Sequence, residues 1–523
     1  MTIPGPFVLP GDRAPVGRGE AEPRGASILI AAVSLASLVL LVVTGNAVLA
    51  AAPLGAVALV YAFCLLPVRY PLFALVFAAI ASEIVPRMGL NDWWRSPLYP
   101  INFFLSENLN KLTGIEALRF SGAELVFFTL VTLALGRAFL GITTDKAGRV
   151  PAANVIFVCS ALSLASVVFL EFLGMLRGGD FRQSLWQMRE LFWLPILVCL
   201  FSCAIRGARD FRPLAYSITA ATCLKIGIAI YFVLAVAWQR ELNPASVTSH
   251  NDSVVFVSVA MIWVAAALHN PTPRVLTASA AVVLWMLIGM AINTRRIAFV
   301  GLFAALILAY VVLRGPVKRT VTRTILYGFP FVLLYLALSA NRPHGIFTPG
   351  SMVVSVLQQK DASSETRDIE NYNLLQTLKQ NKLLGSGWGH EYNEVSKAYD
   401  ISKFFAQYRY IAHNNILWLW TIGGFLGFTL IWSPIVLGFF LARRSYLFAR
   451  TKMDRAAAMA ALAILVSFVI EAWGDMGTQS MNCMLLVAAA IAVSGKLATS
   501  TGAWPQGIAL FAPRRYAADS RSP

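Results

Sequence analysis

"IAHNNILWLWTIGGFLGF" runs from Ile411 to Phe428. A histidine and two asparagines open a stretch that is otherwise apolar enough for the interior of a membrane. A helix needs about 20 apolar residues to cross a bilayer, and the run that opens at His413 continues past that length. Blocks of the same kind recur along the whole chain, separated by short charged or Pro/Gly-containing breaks. They predict spans at 27–44, 47–68, 71–86, 120–142, 152–174, 191–205, 214–237, 254–269, 275–293, 297–313, 325–340, 413–441, 456–474 and 479–495. The 523 residues are 58% hydrophobic and 13% charged, whereas soluble domains carry about 25% charged residues. A transmembrane β-barrel would show alternating segments of about 10 residues, and none is seen. The expected fold class is all-α, a polytopic transmembrane bundle of about 12–14 helices with one large, partly helical loop.

Cytoplasmic loops of membrane proteins are enriched in Lys and Arg. With the N-terminus inside, 23 Lys and Arg fall on the inner side and 18 on the outer, eight of those 18 in the 341–412 loop. A loop longer than about 60 residues crosses largely regardless of charge, so the remaining ratio of 23 to 10 sets the orientation. Both termini are then cytoplasmic. The organisation is a disordered cytoplasmic tail at 1–26, transmembrane helices at 27–340, a large periplasmic loop at 341–412, transmembrane helices at 413–495 and a cytoplasmic tail at 496–523. The first 25 residues are polar and Pro/Gly-rich, without the apolar core of a cleavable leader. The net charge of +17 reads as this inside bias. Membrane lipids are expected partners and nucleic acid is not. The six cysteines all sit in apolar blocks and read as small buried hydrophobes.

The outer loop has structure of its own. "SSETRDIENYNLLQTLKQ" (Ser363–Gln380) starts with N-cap candidates and carries acids in its first turns, where the helix dipole favours them. Asp368 and Glu370 read there as part of a solvated face. The helix should stop before "LLGSGWGHEY" (Leu383–Tyr392), whose glycines permit tight turns and close backbone approach. This run lacks the strand, helix and Lys of a P-loop, so nucleotide binding is rejected.

His413 therefore opens its span on the outer side. Other outer cations gather with it: Arg177, Arg182 and Arg189 in the 175–190 loop, Arg295 and Arg296 at a hairpin between two spans, and Arg367 in the large loop. Ionisable residues at membrane depth suggest function by default, although arginines can also anchor a turn by snorkelling, and a histidine can be an interfacial anchor or cap. His250, with Asn251 and Asp252, opens another span and reads either as a cavity lining or as a helix cap. Lys225 lies inside a span and needs a partner such as Glu171 or a cavity. His344 and His390 read as loop surface.

Three pieces together resemble the O-antigen ligase/polymerase superfamily of membrane glycosyltransferases. "HNNILWLWTIGGFLG" is similar to the family's His-Asn-x-x-Leu followed by Gly-x-x-Gly, with His413, Asn414, Leu417, Gly424 and Gly427 at matching intervals. "NTRRIAFVGLFAALI" resembles its Ser/Thr-Arg segment at the opening of a span. "ETRDIENYNLLQTLKQNKLLGSGWG" resembles the loop Arg, helix and Gly-x-Gly that precede the His span. The resemblance covers about residues 250–430. It departs from the family at Arg296, where a small residue is usual, so Arg295 is taken as the equivalent arginine.

The resemblance implies an enzyme of the bacterial inner membrane. It would move a glycan from an undecaprenyl diphosphate carrier to a glycan or lipid-linked acceptor at the periplasmic face, as a polysaccharide ligase or polymerase, with inversion. Arg295 would stabilise the leaving diphosphate, helped by Arg296, Arg367 or one of Arg177, Arg182 and Arg189. His413 would act as base, and Asn414 would hold its ring or the acceptor; His250 could line the donor cavity. Glu83, Glu471 and Asp475 are the outer-side carboxylates a retaining route would need, though nothing in the sequence groups them with His413. Neither metal nor cofactor is expected. Two other readings share these features: a transporter or flippase for lipid-linked glycans, and a protein O-oligosaccharyltransferase.

Overall fold

The structure is a computed structural model. It describes residues 24–45, 47–83, 96–116, 118–139, 149–240, 247–340, 342, 345–358, 362–397, 400, 402, 405 and 407–508. The expected tail up to residue 23, the chain beyond 508 and His344 lie outside the described residues.

Eighteen α-helices follow one another among the described residues. α1 (Arg24–Thr44), α2 (Ala47–Leu65) and α3 (Arg69–Ser82) precede two short helices, α4 (Tyr99–Ser106) and α5 (Asn110–Thr113). Then come α6 (Gly122–Phe139), α7 (Asn154–Leu176), α8 (Phe181–Ala204), α9 (Ala208–Tyr231), α10 (Asp252–His269), α11 (Pro273–Asn293), α12 (Arg296–Val312) and α13 (Gly315–Ser339). The large loop contributes α14 (Thr348–Gln358) and α15 (Ala362–Gln380), and α16 (Asn415–Phe448), α17 (Lys452–Gly474) and α18 (Met481–Ser500) close the bundle. Among the described residues, ten helices are long and apolar enough to cross a membrane, and the apolar helical stretches 30–44, 49–58, 69–82 and 296–312 are shorter. The architecture is the all-α polytopic bundle expected. A helix satisfies its own backbone hydrogen bonds, which is why apolar blocks of this length take no other form in a bilayer.

α18 is the central helix, buried on nearly every side and packed against α8, α16 and α17. Its sequence is apolar and small all round, as a fully enclosed helix requires. It runs to Ser500 rather than ending at 495, so the expected cytoplasmic tail begins as helix. α8 begins at Phe181 rather than 191. Asp180 caps it by accepting the Gln183 N–H at 2.9 Å, and its polar first turns find protein partners that a hydropathy window cannot see.

Lys225 is completely buried in α9. Its partners are Asp252 and Glu83 at 3.4 Å, not Glu171, which instead accepts from the Ser184 hydroxyl at 2.8 Å. Removing one member of a buried ion pair leaves an uncompensated charge and costs several kcal/mol, so this group clamps α9, α10 and the end of α3 together. We call the end of the bundle where it lies, and where the large loop sits, the loop end.

α16 is broken at Gly424 (φ 58°, ψ −164°). The large loop fills the break. Ser386 and Gly387 donate their N–H groups to the carbonyls of Thr421 and Ile422 at 3.1 and 3.0 Å, and Phe425 and Leu426 donate to Lys382 and Leu383 at 2.8 and 3.1 Å. Backbone groups freed from the helix are thus re-satisfied by protein, which is the condition for irregular backbone at membrane depth. Gly385 also has positive φ, and a Cβ there would run into the Ile422 carbonyl. Gly387 and Gly389 fit against the backbone of Gly174 and Asp180 in the same way.

Gly385→Ala is therefore expected to cause a large loss of folded protein, read as a lowered thermal midpoint in size-exclusion chromatography of detergent extracts. Gly136→Ala in α6, where a Cβ meets nothing within 4 Å, should leave the midpoint unchanged or raise it, since Ala gains up to about 1 kcal/mol over Gly in a helix.

Candidate active site

α11 ends in a corner. Thr294 takes a positive φ of 56° and Arg295 is extended before α12 starts. Arg295 donates from Nη2 to His250 Nε2, and His250 Nδ1 lies 3.2 Å from Asp475 Oδ2. Arginine only donates, so Nε2 is the accepting nitrogen and Nδ1 carries the proton offered to Asp475. Arg367, from α15, places Nη2 3.8 Å from the same Asp475 oxygen. One carboxylate at the end of α17 thus gathers Arg295 through His250 and Arg367 directly. The other oxygen, Oδ1, accepts the Met476 N–H at 2.8 Å.

The Nε atoms of Arg295 and Arg367 are both buried without a protein partner among the described residues. Buried donors of this kind are uncommon in folded proteins. Burial lowers the pKa of Arg295, and the charge of Arg367 adds to this, while Asp475 and Glu471 oppose it. Burial alone would raise the Asp475 carboxyl, but the hydrogen bond from His250 and the guanidinium of Arg367 outweigh it and hold it at about 2.

His413 lies just before α16. Its backbone N–H donates to Glu370 Oε2 at 3.0 Å, and ring Nδ1 lies 3.1 Å from the same oxygen. A carboxylate accepts, so Nδ1 bears the proton and Nε2 keeps its lone pair. Asn414 caps α16 by accepting the Leu417 N–H at 3.1 Å and donates to Asn371 Oδ1 at 3.0 Å. Buried Asn415 accepts from the Thr478 N–H and hydroxyl at 2.8 and 2.7 Å. Thr478 lies three residues beyond Asp475, so this asparagine ties the His413 lip to the arginine cluster. α15 makes the second tie: Arg367 and Glu370, three apart and on one helix face, reach Asp475 and His413 respectively.

The structure thus brings together His413, Asn414, Arg295, Arg367 and His250. Arg296 is half-buried at the start of α12, next to Arg295. The other three arginines do not join the cluster. Arg177 donates to the Gly385 carbonyl and holds the loop. Arg189 is paired with Glu124, and Arg182 stands with it on the far side of α8, lining a different cavity. The expectation of a solvated Glu370 is corrected: it is 6% exposed and pairs with His413. His390 is also no free surface residue, since its Nε2 donates to the Gly174 carbonyl at 3.2 Å. Asp475 is the functional candidate that sequence reading could not place, because only the fold brings "EAWGD" to the two arginines.

Residues 281–432 match the family model described as O-antigen ligase. This segment is similar to that family. It spans Arg295, Arg367, Glu370 and His413 and ends before Asp475, covering under a third of the chain. No curated protein matches the chain.

The depressed Asp475 pKa makes a stability prediction. Its stabilisation is complete above the ordinary carboxylate value of 3.8 and is lost as pH falls through about 2. Wild-type protein in detergent should lose about 2 kcal/mol more than Asp475→Asn between pH 4 and pH 2, measured by denaturant unfolding at each pH.

Proposed function

We propose that this protein is a membrane glycosyltransferase. It moves a glycan from an undecaprenyl diphosphate carrier to the hydroxyl of a glycan or lipid-linked acceptor, and works as a polysaccharide ligase or polymerase. The observation that carries the reading is the gathering of Arg295, through His250, and Arg367, directly, on Asp475, each with a buried Nε–H that has no protein partner among the described residues, and joined through α15 and Asn415 to His413. The bias of Lys and Arg towards the other end of the bundle supports a periplasmic position for the loop end, in a bacterial inner membrane.

The acceptor oxygen forms a bond to the anomeric carbon, and the bond from that carbon to the diphosphate oxygen breaks. Direct displacement inverts the configuration. The acceptor proton passes to His413 Nε2, while Glu370 holds the ring in the required tautomer. Negative charge grows on the diphosphate as it leaves. Arginine forks match phosphate oxygens and stay charged, and donors already held in place need no reorganisation when that charge appears. Asp475 and His250 keep the two arginines in place. Asn414 fixes the lip that carries His413.

In a deletion strain complemented with variants at matched membrane level, Arg295→Ala, Arg367→Ala and His413→Ala should each lower transfer by about 10²–10³-fold, with glycan retained on its lipid carrier. Glu370→Gln should lose about tenfold or more, because the wrong tautomer is then allowed. Normal surface glycan in the His413→Ala strain would overturn the reading and favour transport.

A further inference from the structure

The loop end holds a second cavity of about 760 Å³, between α4, α5, α6 and the first turns of α8. Phe128, Phe181 and Trp186 line it with exposed rings. Asn108, Asn110 and Arg182 line it with hydrogen-bonding groups. Asn110 Oδ1 is buried without a protein partner among the described residues.

The walls are built on one buried carboxylate. Glu124 accepts from Arg189 Nε at 2.9 Å, from Trp193 Nε1 at 3.0 Å and from the Ser121 N–H at 2.8 Å. The Arg189 guanidinium lies 5.6 Å from the Trp186 ring centroid and donates to Asn108 at 3.4 Å. A single ion pair thus orients two tryptophans and an asparagine. Rings in an interfacial aromatic belt sit at the headgroup level by amphipathicity alone and need no such scaffold.

We infer that this cavity binds a stretch of carbohydrate chain, as a glycan subsite separate from the reaction centre. The choice of ligand rests on the glycosyltransferase reading. A pyranose ring has an apolar C–H face and a rim of hydroxyls, which act as both donors and acceptors. Aromatic faces suit the first, and amides, carboxylates and a guanidinium suit the second. Glu107 also lines the cavity, paired with Lys111 at 2.6 Å, and its carboxylate oxygens can accept from sugar hydroxyls.

The position fits a chain that reaches the reaction centre. Arg182, Trp186, Arg189 and Trp193 face the cavity along one stripe of α8. Gln187 faces the other way, donating to the Tyr410 carbonyl at 2.6 Å and accepting the Gly389 N–H. The cavity and the loop that carries His413 are therefore separated by one helix, about 10–12 Å across. A glycan laid over the start of α8 occupies both, so the cavity takes sugars remote from the bond being made.

The test measures binding of lipid-free oligosaccharides, released by mild acid from the host's own surface polysaccharide, to the full chain in nanodiscs. Trp186→Ala should weaken binding at least tenfold, and Trp186→Phe should restore most of it. Arg295→Ala should bind the oligosaccharide as wild type does. Unchanged binding by Trp186→Ala, or no binding by wild type even at millimolar oligosaccharide, overturns the subsite. So does a result in which Trp186→Ala and Arg182→Gln lose co-purified anionic phospholipid while oligosaccharide binding stays. Full transfer by Arg295→Ala together with Trp186-dependent binding leaves the subsite standing and sinks the catalytic assignment instead.

Discussion

The insertion of loop residues 382–387 into the broken helix α16 is the constraint on which the candidate site depends. A helix interrupted at membrane depth exposes carbonyl and N–H groups that lipid cannot satisfy, at several kcal/mol each. Here four inter-segment hydrogen bonds close the gap. The glycines on both sides are what let two backbones come so close. With that register fixed, α15 comes down at the lip of α16, where Arg367 meets Asp475 and Glu370 meets His413.

The site then reads as a controlled excess of positive charge. Two guanidinium groups converge on Asp475, one of them through the His250 imidazole. In a partly desolvated setting charges interact several-fold more strongly than in water, so a carboxylate held ionised at the end of α17 can steady both arginines. The same setting makes their unsatisfied N–H groups expensive to leave bare. In the proposed function an anion placed between them, such as the leaving diphosphate, relieves that burden.

α8 is the element that links this centre to the second cavity. One of its faces grips the loop through Gln187, and the other carries the Arg189–Glu124 pair that shapes an aromatic wall. The polar first turns of α8 were expected to lie in a loop before a span at 191–205. They make sense as a partition between the arginine–histidine site and the aromatic-lined cavity at the same end of the bundle.

The sequence by itself determined the fold class. Long apolar blocks leave the chain no alternative to helices in a bilayer, and the spacing of His413, Asn414, Gly424 and Gly427, with Arg295 and Arg367 in order before them, was legible because those residues recur as local motifs. It also located the loop helix and its stop before Gly385. What only the tertiary structure decided was pairing. Glu370 looked like one acid on a solvated helix, and Asp475 lies 62 residues beyond His413 with no motif around it. Arg177, Arg182 and Arg189 looked like members of the same outer cluster, but a helix turns 100° per residue and sends Arg189 to Glu124. Local periodicity carries information about burial and span. Which charge meets which is fixed by packing between segments far apart in the chain, and no local pattern records it.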